Sequence, residues 1–207
     1  GEFLNRFTNK LRIEYLPKDE EFEVLKHYGP QVENSIIDSL ITVANHIRQD
    51  YIQPHGILPF PLTTRALIRM VRHLEMFPAD KGKLHQLFWR KAYWLDDKIH
   101  NPAARTNINN LLEAVGIKDL PQKPLAKSCV VSEKVGQLNQ KYLSVGEVRY
   151  PLGKGGAYVS NTVIEEVQQN LEDLEWILKD MLLRENILLV GEAGVGKNTI
   201  ERYLSHL

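Results

Sequence analysis

The stretch GEAGVGKN at residues 191–198 has the residue types and the spacing of a phosphate-binding loop. Its glycines remove side chains where a loop must bend tightly and turn backbone N–H groups inward, so that the loop can cradle a phosphate. Lys197 supplies a mobile positive charge for the β- and γ-phosphates of a nucleotide. We therefore predict a nucleotide site at Gly191, Glu192, Ala193, Gly194, Val195, Gly196, Lys197 and Asn198.

Asn198 departs from the usual pattern, in which a Ser or Thr at this position gives its hydroxyl to magnesium. An amide oxygen is also a possible ligand for a hard cation. We expect Mg at Asn198, with the departure affecting metal-assisted hydrolysis more than nucleotide binding. An ordinary glycine-rich turn between a strand and a helix is the alternative.

The elements around this loop have the expected order. The apolar run at residues 187–190 is typical of a strand buried on both faces of a parallel sheet. Residues 198–207 have the apolar spacing of a helix, whose N-terminus would favour an anion. A phosphate-loop domain needs further strands and an acidic magnesium ligand after this helix. We therefore expect the sequence to be a fragment of a longer chain and to be inactive alone.

The chain up to Gly116 has mainly helical periodicity. Thr63 is a predicted N-cap, and the prolines of QPHGILPFPL exclude a helix there. We predict a short strand at residues 10–16, followed by helices at 19–27, 31–53, from Thr63 to Phe77, at about 83–95 and at 103–115.

From residue 120 to 156 the residue pattern changes to short β-rich runs, CVV and KYLSVGEVRYPL, separated by proline and glycine. These runs predict a small hairpin. Thr162 and Glu165 form a capping box for a helix that leads into the run at residues 187–190. The predicted fold is therefore mainly α: a helical bundle, a small β-connector, and the first helix, strand and phosphate loop of an incomplete α/β module.

Composition limits the partners. Lysine and arginine number 26, as do aspartate and glutamate, so the formal net charge is zero and gives no electrostatic reason to expect nucleic acid. No apolar run approaches the length of a membrane span. The single cysteine, Cys129, excludes internal disulfides, and the seven histidines lack metal-ligand spacing.

Two arginines stand in unusual positions. Arg65 falls in the first turn of its predicted helix, where the macrodipole disfavours an exposed cation by about 0.3 to 1 kcal/mol unless an anion lies nearby. A solvated side chain or a pair with a carboxylate is the alternative. Arg6, between the apolar Leu4 and Phe7, could be held rigidly, but a structural salt bridge is an equal alternative.

These segments together resemble a known family. FLNRFTNKLRIEYLPKDEEFEVL is similar to the segment that leaves the core of AAA+ ATPases of the dynein-related, midasin and MoxR-like branch, and LTTRALIRMVRHLEMFP is similar to their lid helix. The resemblance implies that Arg6 is an arginine finger acting on a neighbouring module. It also implies that Arg65 is a sensor of the γ-phosphate, and that Lys197 is the phosphate-loop lysine of the next module.

The resemblance also implies a domain order: the end of a first AAA+ core at residues 1–17, a helical lid at 18–116, a connector at 117–160 and the start of a second module at 161–207. The implied partners are ATP, neighbouring modules or subunits in a ring and a protein substrate, without nucleic acid or an integral membrane segment. The implied location is mitochondrial, and otherwise intracellular.

The function expected from this resemblance is that of a piece of a multi-module, ATP-hydrolysing remodelling machine. Asn198 favours one alternative, a helical scaffold with a vestigial nucleotide site. The other alternative is a signalling NTPase with a helical regulatory region, in which Arg65 is dispensable.

Overall fold

The computed structural model describes most of the chain in two compact units, Gly1–Gln122 and Lys123–Leu207, and each unit is described by itself. The described residues are 14–53, 56, 58, 60–92, 102–121, 129–134, 140–151, 168–191 and 197–204.

Unit one is built from helices, as predicted. They are α1 (Lys18–Tyr28), α2 (Asn34–Ile52), α3 (Thr64–Met76), a 3-10 helix (Pro78–Gly82), α4 (Leu84–Lys91) and α5 (Pro102–Ala114). Residues 14–17 have no regular secondary structure, and the rest of the strand predicted at 10–16 lies outside the described residues. The mainly α character of the predicted fold is confirmed.

Local sequence signals set the ends of these helices. The Thr63 side chain accepts a hydrogen bond from the Ala66 backbone N–H at 3.3 Å, which confirms the predicted N-cap of α3. Gly116, two residues after the end of α5, has a φ of 82°. Its N–H donates to the Glu113 carbonyl and the Ile117 N–H donates to the Leu112 carbonyl, so both free carbonyls are satisfied by the glycine-centred turn.

The core of unit one forms between the apolar stripes of its helices. In α3, the apolar stripe is buried at Leu67, Met70, Val71 and Leu74. In α2, Ile37 and Ile41 are buried, while Tyr51, near the end of the helix, is 46% exposed. Phe88 and Trp89 of α4 pack against each other edge to face, with ring centroids 5.5 Å apart.

Unit two contains a three-stranded antiparallel sheet, in the order β1 (Cys129–Lys134), β2 (Gln140–Val145) and β3 (Val148–Pro151). Strands β2 and β3 form the predicted hairpin, with Val145 paired to Val148 across a two-residue turn. Gly146, the first turn residue, has a φ of 58°, which glycine adopts readily. The predicted hairpin is confirmed and extended by the pairing of β1 along β2.

Helix α6 (Gln168–Leu182) packs on this sheet, and α7 (Lys197–Leu204) follows the glycine-rich stretch. Leu143, Val145 and Val148 of the sheet form one apolar cluster with three leucines of α6. Leu204, in α7, packs against the same cluster. Thr162 and Glu165, the predicted capping box, lie outside the described residues.

The prediction of a strand at residues 187–190 is wrong. Residues 185–191 have no regular secondary structure, and Leu188 and Val190 are 70% and 76% exposed. An interior strand of a parallel sheet depends on neighbouring strands for its backbone hydrogen bonds and for burial of both faces. Within the described part of the chain, the one sheet is antiparallel and does not include this run.

Candidate functional site

Arg65 is presented at the surface by the start of α3. It is the second residue of the helix, two residues after the Thr63 cap, and its side chain is exposed. No carboxylate pairs with it among the residues that the structure describes. Of the alternatives left open by the sequence, a solvated side chain therefore fits better than a pair with a carboxylate. The positive end of the helix dipole disfavours the charge of Arg65, and a nearby anion would offset this cost.

A buried ion pair lies at the same end of α3. The Arg48 guanidinium, from α2, binds the Glu21 carboxylate, from α1, through two parallel hydrogen bonds of 2.8 Å. Both side chains are buried. The Thr64 hydroxyl donates to Glu21 Oε1 at 2.6 Å, so the carboxylate also holds the first residue of α3.

Further contacts complete the surroundings of Arg48. Its Nε donates to the Leu62 carbonyl at 2.7 Å, and its Nη1 also donates to Asn45 Oδ1 at 3.2 Å. The guanidinium carbon lies 4.0 Å from the centre of the Tyr15 ring, which is the geometry of a cation–π contact. The guanidinium is therefore held in its plane by hydrogen bonds and from one face by an aromatic ring. We name the contacts of Glu21, Arg48, Leu62 and Thr64 the α3 anchor.

Sequence reasoning missed the α3 anchor, although a signal for it was present. Arg48 is four residues after Ala44 and eight after Leu40, so it falls on the apolar stripe of α2. Glu21 is four residues before the buried Leu25 and falls on the inward side of α1. Charged side chains on the buried stripes of two adjacent helices indicate a buried pair, because a lone buried charge is costly.

The phosphate-loop stretch is described at its two ends. Lys197 is the first residue of α7, is half-buried, and donates from Nζ to the Gly191 carbonyl at 2.6 Å. Asn198 follows with its side chain exposed. Residues 192–196, which include the predicted contacts of Glu192, Ala193, Gly194, Val195 and Gly196, lie outside the described residues.

Lys197 and Asn198 carry the polar groups that a nucleotide phosphate and its cation would require. An ammonium and a helix N-terminus are both favourable partners for an anion, and Lys197 supplies the first at the start of α7. Magnesium in proteins usually keeps several waters and takes one or two protein ligands beside the substrate phosphates. The exposed amide of Asn198 is suited to such a single oxygen ligand.

The predicted site residues belong to both units. Arg65 belongs to unit one, whereas Lys197 and Asn198 belong to unit two. Arg6 lies outside the described residues.

In the part of the chain that the structure describes, no group of three or more His, Cys, Asp or Glu side chains is placed to hold a metal, and no helix has the length and apolar character of a membrane span.

The chain is similar along its whole length to a much longer protein. It is 28% identical over 218 residues to von Willebrand factor A domain-containing protein 8 from Mus musculus, in an alignment that covers 100% of this chain and 10% of that protein. The chain thus spans about a tenth of the length of this relative. No protein-family profile matches the chain, and no solved structure matches it significantly. The similarity confirms the resemblance drawn from the sequence motifs, and it is a distant one.

Proposed function

We propose that this chain is part of a multi-module AAA+ ATPase that remodels a protein substrate. In this proposal, residues 18–116 are the lid of one module, 117–160 are a connector and 161–207 begin the next module. ATP and Mg are the ligands, and neighbouring modules or subunits in a ring are the partners. The resemblance also favours a mitochondrial location for the whole protein.

The observation that carries this proposal is the similarity along the complete chain, which includes both LTTRALIRMVRHLEMFP and GEAGVGKN. Two structural observations support it. Arg65 is exposed at the start of a capped helix, where an anion is favourable. Lys197 begins a helix directly after the glycine-rich stretch, which is the order of elements in a phosphate loop.

Each candidate residue has a role in phosphoryl transfer. Arg65 contacts the γ-phosphate of the nucleotide bound by its own module, and Arg6 stabilises the developing negative charge on a neighbour's nucleotide. Lys197 binds the β- and γ-phosphates in the second module, with Asn198 as a ligand of the cation. Because α3 carries Arg65, movement of that side chain toward the phosphate moves the lid helices with it.

Substitution of Arg65 tests the sensor assignment. In the full-length protein, Arg65→Ala is expected to lower ATP turnover on the order of tenfold to a thousandfold, because one preorganised charge contact to the transferring phosphoryl group is lost. Arg72→Ala is the matched control, since Arg72 is also exposed on α3 but lies about two turns further along. The measurement is steady-state phosphate release by both variants.

Equal turnover in the two variants, from a first module known to be active, contradicts the sensor role. That result instead favours a signalling NTPase with a helical regulatory region, in which Arg65 is dispensable. Arg6→Ala distinguishes action in trans: in mixtures with a hydrolysis-dead partner, it is expected to reduce turnover only where the altered subunit faces an active nucleotide site.

A second candidate function, a helical scaffold with a vestigial nucleotide site, is favoured by Asn198. If this residue weakens magnesium binding, Asn198→Thr is expected to tighten binding of ATP with magnesium by about tenfold and to leave binding without magnesium unchanged. Asn198→Ala is the control that supplies no oxygen ligand. Calorimetric titration with and without magnesium measures both constants, and equal affinities for Asn198 and Thr variants contradict a defective metal site.

A further inference from the structure

The α3 anchor converges on the residues directly before Arg65. Arg48 binds the carbonyl of Leu62, two residues before the start of α3, and the Glu21 carboxylate accepts the hydroxyl of Thr64. The Leu62 carbonyl and the Thr64 hydroxyl are thus held by side chains of two other helices. Arg65 is the next residue along the chain, and its side chain points to the exposed surface.

The geometry of the α3 anchor favours precise placement. A bidentate pair between a guanidinium and a carboxylate fixes both planes relative to each other. A buried pair of this kind is weak evidence for added stability, because removing two charges from water offsets their attraction. Its position, at the end of α3 that presents Arg65 and not in the middle of the helices, indicates a role in orienting that end.

We propose that Glu21, Arg48 and Thr64 are positioning residues that hold the first turn of α3, and therefore Arg65, in the orientation required at the γ-phosphate. The inference rests on the proposed function, since it assigns these residues to the same reaction. They do not touch the nucleotide, and they act only through Arg65. A displacement of about 1 Å in a group that contacts the reacting phosphoryl is enough to reduce the rate substantially.

The test uses substitutions that remove one contact of the α3 anchor at a time. Thr64→Val removes the hydroxyl that Glu21 holds and keeps the side-chain shape, whereas Thr64→Ser keeps the hydroxyl. Thr42→Val is the matched control, because the Thr42 hydroxyl donates to the Asp38 carbonyl within α2, outside the α3 anchor. Glu21→Gln is a second variant, which removes the charge and retains an acceptor for Thr64.

Turnover is measured in the full-length protein, with each substitution made in the native background and in Arg65→Ala. The assay temperature is below the melting temperature of every variant. In the native background, Thr64→Val and Glu21→Gln are expected to lower kcat about threefold to thirtyfold, while Thr64→Ser and Thr42→Val retain it. In the Arg65→Ala background, the same substitutions are expected to cause no further loss, because the side chain that they orient is gone.

Two results overturn the inference alone, and they are distinguishable from the third, which is failure of the proposed function. If Arg65→Ala lowers turnover but Thr64→Val gives the same fold-loss in both backgrounds, the α3 anchor acts on folding and not through Arg65. If Thr64→Val has no effect in the native background, the first turn of α3 needs no such support. If Arg65→Ala itself leaves turnover unchanged, the sensor role fails and the positioning role fails with it.

Discussion

At the scale of the residue, Arg48 shows how unit one accommodates buried charge. Its guanidinium has partners from the Glu21 carboxylate, the Asn45 amide and the Leu62 carbonyl, so the hydrogen bonds that water would supply are replaced. The loss of one charge would leave the other buried without compensation. Loss of both would remove the attraction and the desolvation cost together.

This argument predicts unequal effects of single and double substitutions on stability. Arg48→Met is expected to reduce the free energy of unfolding of the chain by about 3–5 kcal/mol, because the Glu21 carboxylate loses its charged partner. Adding Glu21→Gln to Arg48→Met is expected to recover part of that loss, since the remaining amide is neutral and still accepts from Thr64. Urea unfolding of the native protein, of both single variants and of the double variant measures the difference.

A surface pair provides the control for this comparison. Lys81 and Glu33 are 3.1 Å apart with both side chains well exposed, and Lys81→Met is expected to change the free energy of unfolding by less than about 1 kcal/mol. A double variant of Arg48 and Glu21 whose loss equals the sum of its single losses would contradict the coupling of the buried pair.

At the scale of the element, two helices end in the same way with different residues. Gly116 follows α5 with a φ of 82°, and Arg184 follows α6 with a φ of 57°. In both, the next residue donates to a carbonyl five residues earlier, from Ile117 to Leu112 and from Glu185 to Asp180. The left-handed conformation suits glycine and is unfavourable for arginine, so α6 ends at a strained position.

A substitution at Gly116 separates backbone strain from packing. No atom lies within 4 Å of the position that a Cβ would take, so Gly116→Ala creates no steric overlap. It is nevertheless expected to cost about 1–2 kcal/mol of stability, because alanine disfavours a positive φ. Gly116→Asn is expected to cost less, since asparagine adopts this conformation more readily.

Thermal or urea unfolding of the two Gly116 variants measures these costs. Equal stability of the alanine and asparagine variants would show that the positive φ is not what the glycine is needed for. A loss well above 2 kcal/mol would indicate that the substitution also disturbs the packing of this helix end, where the Ser39 hydroxyl donates to the Val115 carbonyl at 2.8 Å.

At the scale of the whole molecule, the chain forms two units with separate apolar cores. In unit one, α1, α2 and α3 pack on one another and the apolar stripes of α2 and α3 are buried, and in unit two, α6 packs on the sheet. A domain with its own core is expected to fold independently when few contacts cross its boundary.

Separate expression tests this independence. Residues 1–122 alone are expected to unfold cooperatively and to retain slow hydrogen exchange at the backbone amides of α2 and α3, because the core residues of both helices belong to this unit. Comparison with the complete chain is the control. Loss of protection in the isolated unit would show that its core depends on residues 123–207.

The candidate site combines a residue placed by local signals with residues that meet only in the folded chain. The position of Arg65 follows from the Thr63 cap and the helix after it, both of which are signals within a few residues. The pairing of Glu21 with Arg48 joins residues 27 apart, and neither helix by itself indicates its partner. Sequence reasoning therefore found the exposed arginine and missed the buried residues that hold its helix.

Local sequence patterns were sufficient to predict the α-helices of unit one and the hairpin of unit two, because apolar periodicity, caps and turn glycines act over a few residues. Tertiary structure decided whether the run at residues 187–190 becomes a strand, since a strand needs hydrogen-bonding neighbours that its own residues cannot supply. It also decided how charged residues on the inner faces of α1 and α2 are neutralised. Both outcomes depend on distant parts of the chain meeting in space, which no local pattern encodes.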